Sequence, residues 1–537
     1  MGFDLILRGG SVVDGSGAPA RAADVGVTGG RIEAVADLGR AEEARAVLDC
    51  RGLVVSPGFI DVHTHSDFTH LLTPHAESLV HQGVTTEVVG NCGFSAGPWR
   101  GEAPELQGGF LARYRFTPDW TDLDGYLRAL DAAGSSINCA TLVGHNTIRA
   151  AVLGMAARPA TRAEILAMTR EVELALEQGA VGFSSGLSYS PGSVAGADEL
   201  GALVSACAAR GGIYTTHIRS EDARLVESVT EAIDTAKVSR ARTQLSHHPA
   251  KFPSNGRSPE TLAMLDAARA NGLDLACDLH PYTAGATWMI QLLPPAAFEG
   301  GVASVTTRLR EPTFRRAMRE ALLQATEMVA PVQLVRAGHW DKLRIDYSAA
   351  TPELIGRDLA GLAAERGQDP FDTLFDVMSA QGDGLSDAVV IAWVYDERDI
   401  VAVMRHPTSM IGSDGYALGA SGPLGTWRFH PRSYGTFPRV LSHYVRERGV
   451  LTLEEAVRKM TSVPAARFKL GKRGCLARGW VADIVAFDPV TVQDRADYDH
   501  PTTLAHGIRH VLVNGTRVIE HGIHLGARPG RALRRDS

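Results

Sequence analysis

The sequence predicts an α/β protein: a (β/α)8 TIM barrel carrying a small β-sandwich domain built from both chain ends, with an inserted subdomain over the barrel mouth. Three observations carry this. Apolar strand runs alternate with helical stretches through the middle of the chain, the mark of βα units. Both ends read as short strands broken by glycine turns, a character the middle lacks. At 537 residues the chain is long enough for a barrel with a smaller companion. A doubly wound sheet and two separate domains are the structural alternatives.

In the first segment (1–56), Leu5-Ile-Leu-Arg-Gly-Gly-Ser-Val-Val-Asp-Gly and Asp24-Val-Gly-Val-Thr-Gly-Gly-Arg-Ile both turn at their glycines. In the last segment (471–537), Ala482-Asp-Ile-Val-Ala-Phe-Asp and His510-Val-Leu-Val-Asn-Gly-Thr-Arg-Val-Ile repeat the theme, so the two ends are expected to meet in one domain. Between them (57–470), eight strand runs can be placed: Phe59–His65, Thr86–Asn91, Ala140–Gly144, Val181–Ser185, Gly212–His217, Thr243–His247, Leu273–Leu279 and Ser409–Ser413. Helices fill most gaps; Arg162–Gln178 shows apolar residues at helical spacing before Gly179. About 130 residues separate the seventh run from the eighth, far beyond a βα loop, and part of 290–400 is read as the insertion.

Apolar residues make up 45% and charged residues 21%, an ordinary globular balance. The net charge of -7 and the lack of a basic block point away from nucleic acid. Met1-Gly-Phe-Asp-Leu-Ile has no basic start, Ile6 breaks the myristoylation pattern, and no window approaches a membrane span. Six scattered cysteines without C-x-x-C pairs suit a reducing compartment. The expectation is a soluble, cytoplasmic protein with a small-molecule substrate, homo-oligomerisation being left open.

The chemistry gathers at the strand ends. In Phe59-Ile-Asp-Val-His-Thr-His65, alternation puts His63 and His65 on one face, a few Å apart by strand geometry. Two imidazoles suit a divalent metal, although two surface histidines would give the same H-x-H. Strand two ends Gly90-Asn91-Cys92-Gly93, strand five Thr216-His217, strand six Ser246-His247-His248, and strand eight Gly412-Ser413-Asp414-Gly415. Thiolate, imidazole and carboxylate are the ligands zinc prefers, and in a barrel these ends share one rim. Taken singly, Cys92 reads as a buried structural thiol and Ser-Asp-Gly as a turn. His248 faces the other way from His247 and is assigned to the surroundings.

At this point the chain resembles the amidohydrolase superfamily, whose barrels carry H-x-H, two further His and an Asp in this order. Most bimetallic members bridge their metals with a carboxylated Lys on strand four, but the first of the six lysines here is Lys237, past strand five. The thiol of Cys92 is available instead, which is what the D-aminoacylase (N-acyl-D-amino-acid deacylase) branch looks like. His430-Pro-Arg-Ser-Tyr-Gly-Thr-Phe-Pro-Arg439 and Arg458-Lys-Met-Thr461 also resemble that branch.

The resemblance implies one tight zinc on Cys92, His217 and His247, and a weaker second site on His63, His65 and Asp414. Asp414 would be the acid/base group: a metal brings the pKa of water toward about 7, and a carboxylate in range takes the proton and passes it to the leaving nitrogen. By the same resemblance Tyr189 and Tyr282 touch substrate, and Arg432 grips its carboxylate, for which a bidentate fork is suited. The insertion would then cover the acyl or side-chain end.

The chain departs from the family twice. Pro249 follows His248 where many members have Lys, and Lys251 comes later, which argues mildly against D-Glu or D-Asp substrates. The Gly415–Gly425 stretch is longer than usual. Hydrolysis of an N-acyl-D-amino acid is the leading reading; another linear or cyclic amide on the same metal centre, and a ligand-stripped scaffold, are the competing ones. Fold alone does not separate them.

Overall fold

A computed structural model describes residues 2–39, 43–298, 301–325, 328–382, 388–419, 422–425 and 427–535. Parts of the expected end segments, of the insertion and of the Gly415–Gly425 stretch fall at the omitted positions and lie outside the described residues.

All eight barrel strands form, in chain order around one sheet: Phe59–Asp61, Val84–Val89, Asn138–Gly144, Gly182–Gly186, Ile213–His217, Arg242–Leu245, Leu275–Leu279 and Ser409–Ile411. Every adjacent pair along this path is parallel. The first and eighth strands close the ring just beyond their ladders. Thr64 bridges Gly415 in parallel, Asp414 N donates to His63 O at 2.8 Å, and His65 N donates to Gly415 O at 2.9 Å. Buried Asp61 reinforces the seam: its Oδ1 accepts from Ser413 N (2.9 Å) and His63 N (3.2 Å). Strands buried on both faces explain the near-continuous apolar runs in the sequence. Ile60, Val62, Val88, Leu142, Ile213 and Met410 share one buried cluster.

Several helices start where their sequences provide a side-chain cap. Arg162–Glu177 opens with a capping box, Thr161 accepting from Glu164 N and the Glu164 carboxylate accepting from Thr161 N.

A second nine-stranded sheet draws on both ends of the chain, with Ile484–Phe487 running antiparallel to Val54–Pro57. The last short strand, Ala532–Leu533, leaves that sheet and pairs with Cys139 and Ala140 of the third barrel strand. Between strands seven and eight, Gly285–Trp288, Leu343–Ser348 and Ala388–Ala392 form an antiparallel sheet. That sheet and its helices have their own apolar core, including Leu334, Ile345, Leu374 and Val390. Helix Glu397–Arg405 returns the chain to the barrel, against helix Ser258–Ala270.

Candidate metal centre

The side chains expected at the strand ends converge. Cys92 Sγ lies 3.3 Å from His63 Nε2 and 3.5 Å from His247 Nε2. The His217 ring stands edge-on to His247, centroids 4.4 Å apart. His65 Nε2 lies 2.9 Å from Asp414 Oδ1, and His63 Nε2 3.6 Å from the same oxygen. The donor atoms thus fall into overlapping groups, His63–Cys92–His247, His63–His65–Asp414 and His217–Glu221–His247, each tight enough for one ion. His63 is shared by the first two, whereas the sequence reading kept it in the second alone.

The backbone aims these groups at a cost. Cys92, His247 and Asp414 have φ of 52°, 33° and 53°, left-handed values that side chains with a Cβ seldom adopt. Such strain persists where the surroundings fix it, and here each case follows the end of a barrel strand. Gly90 makes the Cys92 turn possible: with φ 79°, a Cβ there would lie 2.2 Å from Leu142 O.

Electrostatics hold the two acidic donors, Cys92 and Asp414, in their ionised form. Burial pushes the Cys92 thiol up, but His63 and hydrogen bonds from His217, His247 and His63 overcome it and leave it well below the usual thiol range. Burial likewise works against an ionised Asp414, yet Arg432, His65, His63 and His247 hold it well below the usual carboxylate range. Arg432 opens helix Arg432–Arg439, and its Nη1 lies 2.7 Å from Asp414 Oδ2.

Two residues went unrecognised in the sequence, and a third, Lys251, was set aside as too late. Glu221 spans two candidate ligands, its Oε1 2.5 Å from His247 Nδ1 and its Oε2 3.2 Å from His217 Nε2. Against the effect of burial, His247, Lys251 and His217 bring its pKa down to about 2. Asp278 lies 3.3 Å from His63 Nδ1 and accepts from His247 N at 2.7 Å. Lys251, despite its late position, comes back to the rim, bonded to Glu221 Oε2 and over the Tyr395 ring. An acid inside the apolar run Leu275–Leu279 was a readable signal for Asp278. Nothing in the Glu221 loop announced its role.

Two cavities meet at Asp414 and Arg432. The larger, about 1280 Å³ with its mouth, is bordered by His65, Cys92 and many aromatic rings; the smaller, about 400 Å³, by His217, His247, Glu221 and Lys251. Tyr189 lines both, its ring 4.6 Å from His217. Tyr282 lines neither. It packs its ring under the Arg439 guanidinium and against His430, with its hydroxyl 3.5 Å from Pro431 O. His248 turns away as read, toward Thr261 Oγ1 at 3.1 Å.

Cysteine, histidine and carboxylate donors at the carboxyl ends of a (β/α)8 barrel define the site of a metal-dependent hydrolase. The amidohydrolase family model matches residues 46–519, and the chain belongs to that family. It is 40% identical to an N-acyl-D-glutamate deacylase of Alcaligenes xylosoxydans xylosoxydans, over 100% of this chain and 97% of that one. It is 38% identical to a D-aminoacylase of the same organism, over 99% and 98%. A solved structure of N-acyl-D-glutamate deacylase from Bordetella bronchiseptica, complexed with zinc and a phosphonate mimic of the tetrahedral intermediate, superposes with a TM-score of 0.82. It is 38% identical, covering 99% of this chain and 100% of that one.

Proposed function

We propose that this chain hydrolyses the amide bond of N-acyl-D-amino acids, giving a carboxylate and a D-amino acid. The observation that carries the reading is the thiol of Cys92 among His63, His217 and His247, with ionised Asp414 beside them, in a chain similar over its whole length to deacylases of this kind. The donor set fits zinc, since a soft thiolate with imidazoles is its preferred company. Cys92, His217 and His247 would hold the tight ion, and His63, His65 and Asp414 a weaker second one. When bound, zinc supplies Lewis acidity toward an amide carbonyl and toward water.

The chain's own groups do the rest. Asp414, ionised, accepts the proton of the attacking water and returns it to the leaving nitrogen. Glu221 fixes the orientation of His247 and His217, as carboxylates behind metal-binding imidazoles do. Arg432 receives the substrate carboxylate with its remaining donors; its Nε is buried with no hydrogen-bond partner among the described residues. Tyr189, at the junction of the cavities, faces the carbonyl. No helix among the described residues is long and apolar enough to cross a membrane.

The test is a hydrolysis screen of the zinc-loaded protein over N-acyl-D-, N-acyl-L- and cyclic amide substrates. Turnover confined to the N-acyl-D class is expected. Turnover of cyclic amides alone would overturn the reading.

A further inference from the structure

The two cavities at Asp414 and Arg432 differ in chemistry as well as in size. The larger has a wall of aromatic rings, Phe68, Phe110, Trp288, Tyr416, Trp427 and Phe429. Five of these rings form one connected set: Tyr416 lies 4.6 Å from Phe429 and 5.4 Å from Trp427, and Trp427 lies 5.4 Å from Phe110 and 6.0 Å from Trp288. Its carboxylates are Asp67, Glu105 and Asp414, of which burial pushes Asp67 up to about 7, and among lysines and arginines it has Arg432 alone. The smaller cavity sets Lys251 and Arg432 against Glu221 and Asp414, two cations to two acids. The sequence adds no lysine or arginine between Ala286 and Thr307 or between Gly415 and Trp427, two segments that contribute to the large wall.

We propose that this chain selects a large apolar acyl group, with the aromatic cavity holding the acyl end of the substrate and the smaller cavity its carboxylate. The proposal rests on the N-acyl-D-amino acid reading. In such a substrate the acyl chain and the α-carboxylate leave the scissile C–N unit in opposite directions. With the reacting carbonyl beside Asp414, one end enters each cavity. The carboxylate goes where cations balance the acids, since in the larger cavity it would meet an excess of negative charge. The acyl chain is left with the aromatic wall. Each methylene buried there is worth about fourfold in affinity. An acetyl group carries a single methyl and gains little of this. The cover over the cavity is the insertion itself, through Trp288, Ile290 and Phe298.

The test compares kcat/KM of the zinc-loaded enzyme on N-acetyl-D-alanine, N-octanoyl-D-alanine and N-acetyl-D-phenylalanine. The octanoyl substrate should exceed the acetyl one by a hundredfold or more, chiefly through KM, and should also exceed N-acetyl-D-phenylalanine. Trp427→Ala should shrink the octanoyl-to-acetyl ratio at least tenfold. Equal rates on the two alanine substrates, a preference for N-acetyl-D-phenylalanine, or a ratio that Trp427→Ala leaves unchanged would each overturn the acyl assignment while leaving a deacylase. Hydrolysis of none of the three, with zinc bound, would overturn the deacylase reading itself.

Discussion

Arg432 Nη1 donates to Asp414 Oδ2 across 2.7 Å, so the residue expected to grip the substrate carboxylate already holds the residue expected to move the proton. Arg432 is buried and the Asp414 side chain only 13% exposed, and the guanidinium is the leading group that opposes burial in keeping Asp414 ionised. Truncating one partner of a buried pair costs roughly 3–5 kcal/mol. Arg432→Ala should therefore lose hundreds-fold in kcat/KM on N-acyl amino acids and markedly less on their amidated analogues. Because Asp414 loses its main cation, its pKa rises, and the acid limb of the pH–rate profile should move to higher pH on both substrate kinds. An unmoved acid limb would separate Arg432 from Asp414.

Asp414 itself is tested by Asp414→Asn, which keeps the shape but accepts no proton. Turnover should fall by about two to four orders of magnitude. Elemental analysis should find the tightly held zinc little changed, because Cys92, His217 and His247 remain. Activity within tenfold of the parent would give the proton to another group.

The barrel was legible because its strands are buried on both faces and so appear as apolar runs, and because the candidate ligands sit where those runs stop. His63, His65, Cys92, His217, His247 and Asp414 could be placed on one rim from strand order alone. What strand order does not carry is direction beyond a turn. Pro281 ends the alternation after Leu279, and Tyr282 swings out onto Arg439 instead of into a cavity. Lys251 shows the converse, reaching Glu221 from a position that sequence spacing placed too late. Glu221 was invisible because its loop has no periodicity, only tertiary contacts.

Removing the thiol should remove the tight metal. Cys92→Ala should purify folded by circular dichroism, with little zinc and no activity. Full zinc occupancy would remove the thiolate from the ligand set.

Glu221→Gln should weaken zinc binding by about 10–100-fold, the usual cost of losing a carboxylate behind a histidine ligand. It also leaves Lys251 buried beside a neutral partner. Competition with a chelator measures the change in affinity, and a chelator curve identical to the parent's would reduce Glu221 to a packing role.

A buried acid in the insertion should make stability depend on pH. Asp346, in strand Leu343–Ser348, is buried with Oδ2 unpartnered among the described residues, and burial pushes its pKa up to about 7 although Arg344, Arg428 and Arg432 pull the other way. Its ordinary value is 3.8. Between those values the folded chain binds more protons than the unfolded one, so stability falls as pH rises through this window. A raised pKa of this size corresponds to about 4 kcal/mol at most. Asp346→Asn should therefore be more stable than the parent at pH 8 by about 1–3 kcal/mol, with the gain shrinking toward pH 4. Urea unfolding of both proteins across that range decides it. A constant difference between them at every pH would mean that Asp346 stays ionised in the fold, held by its arginines.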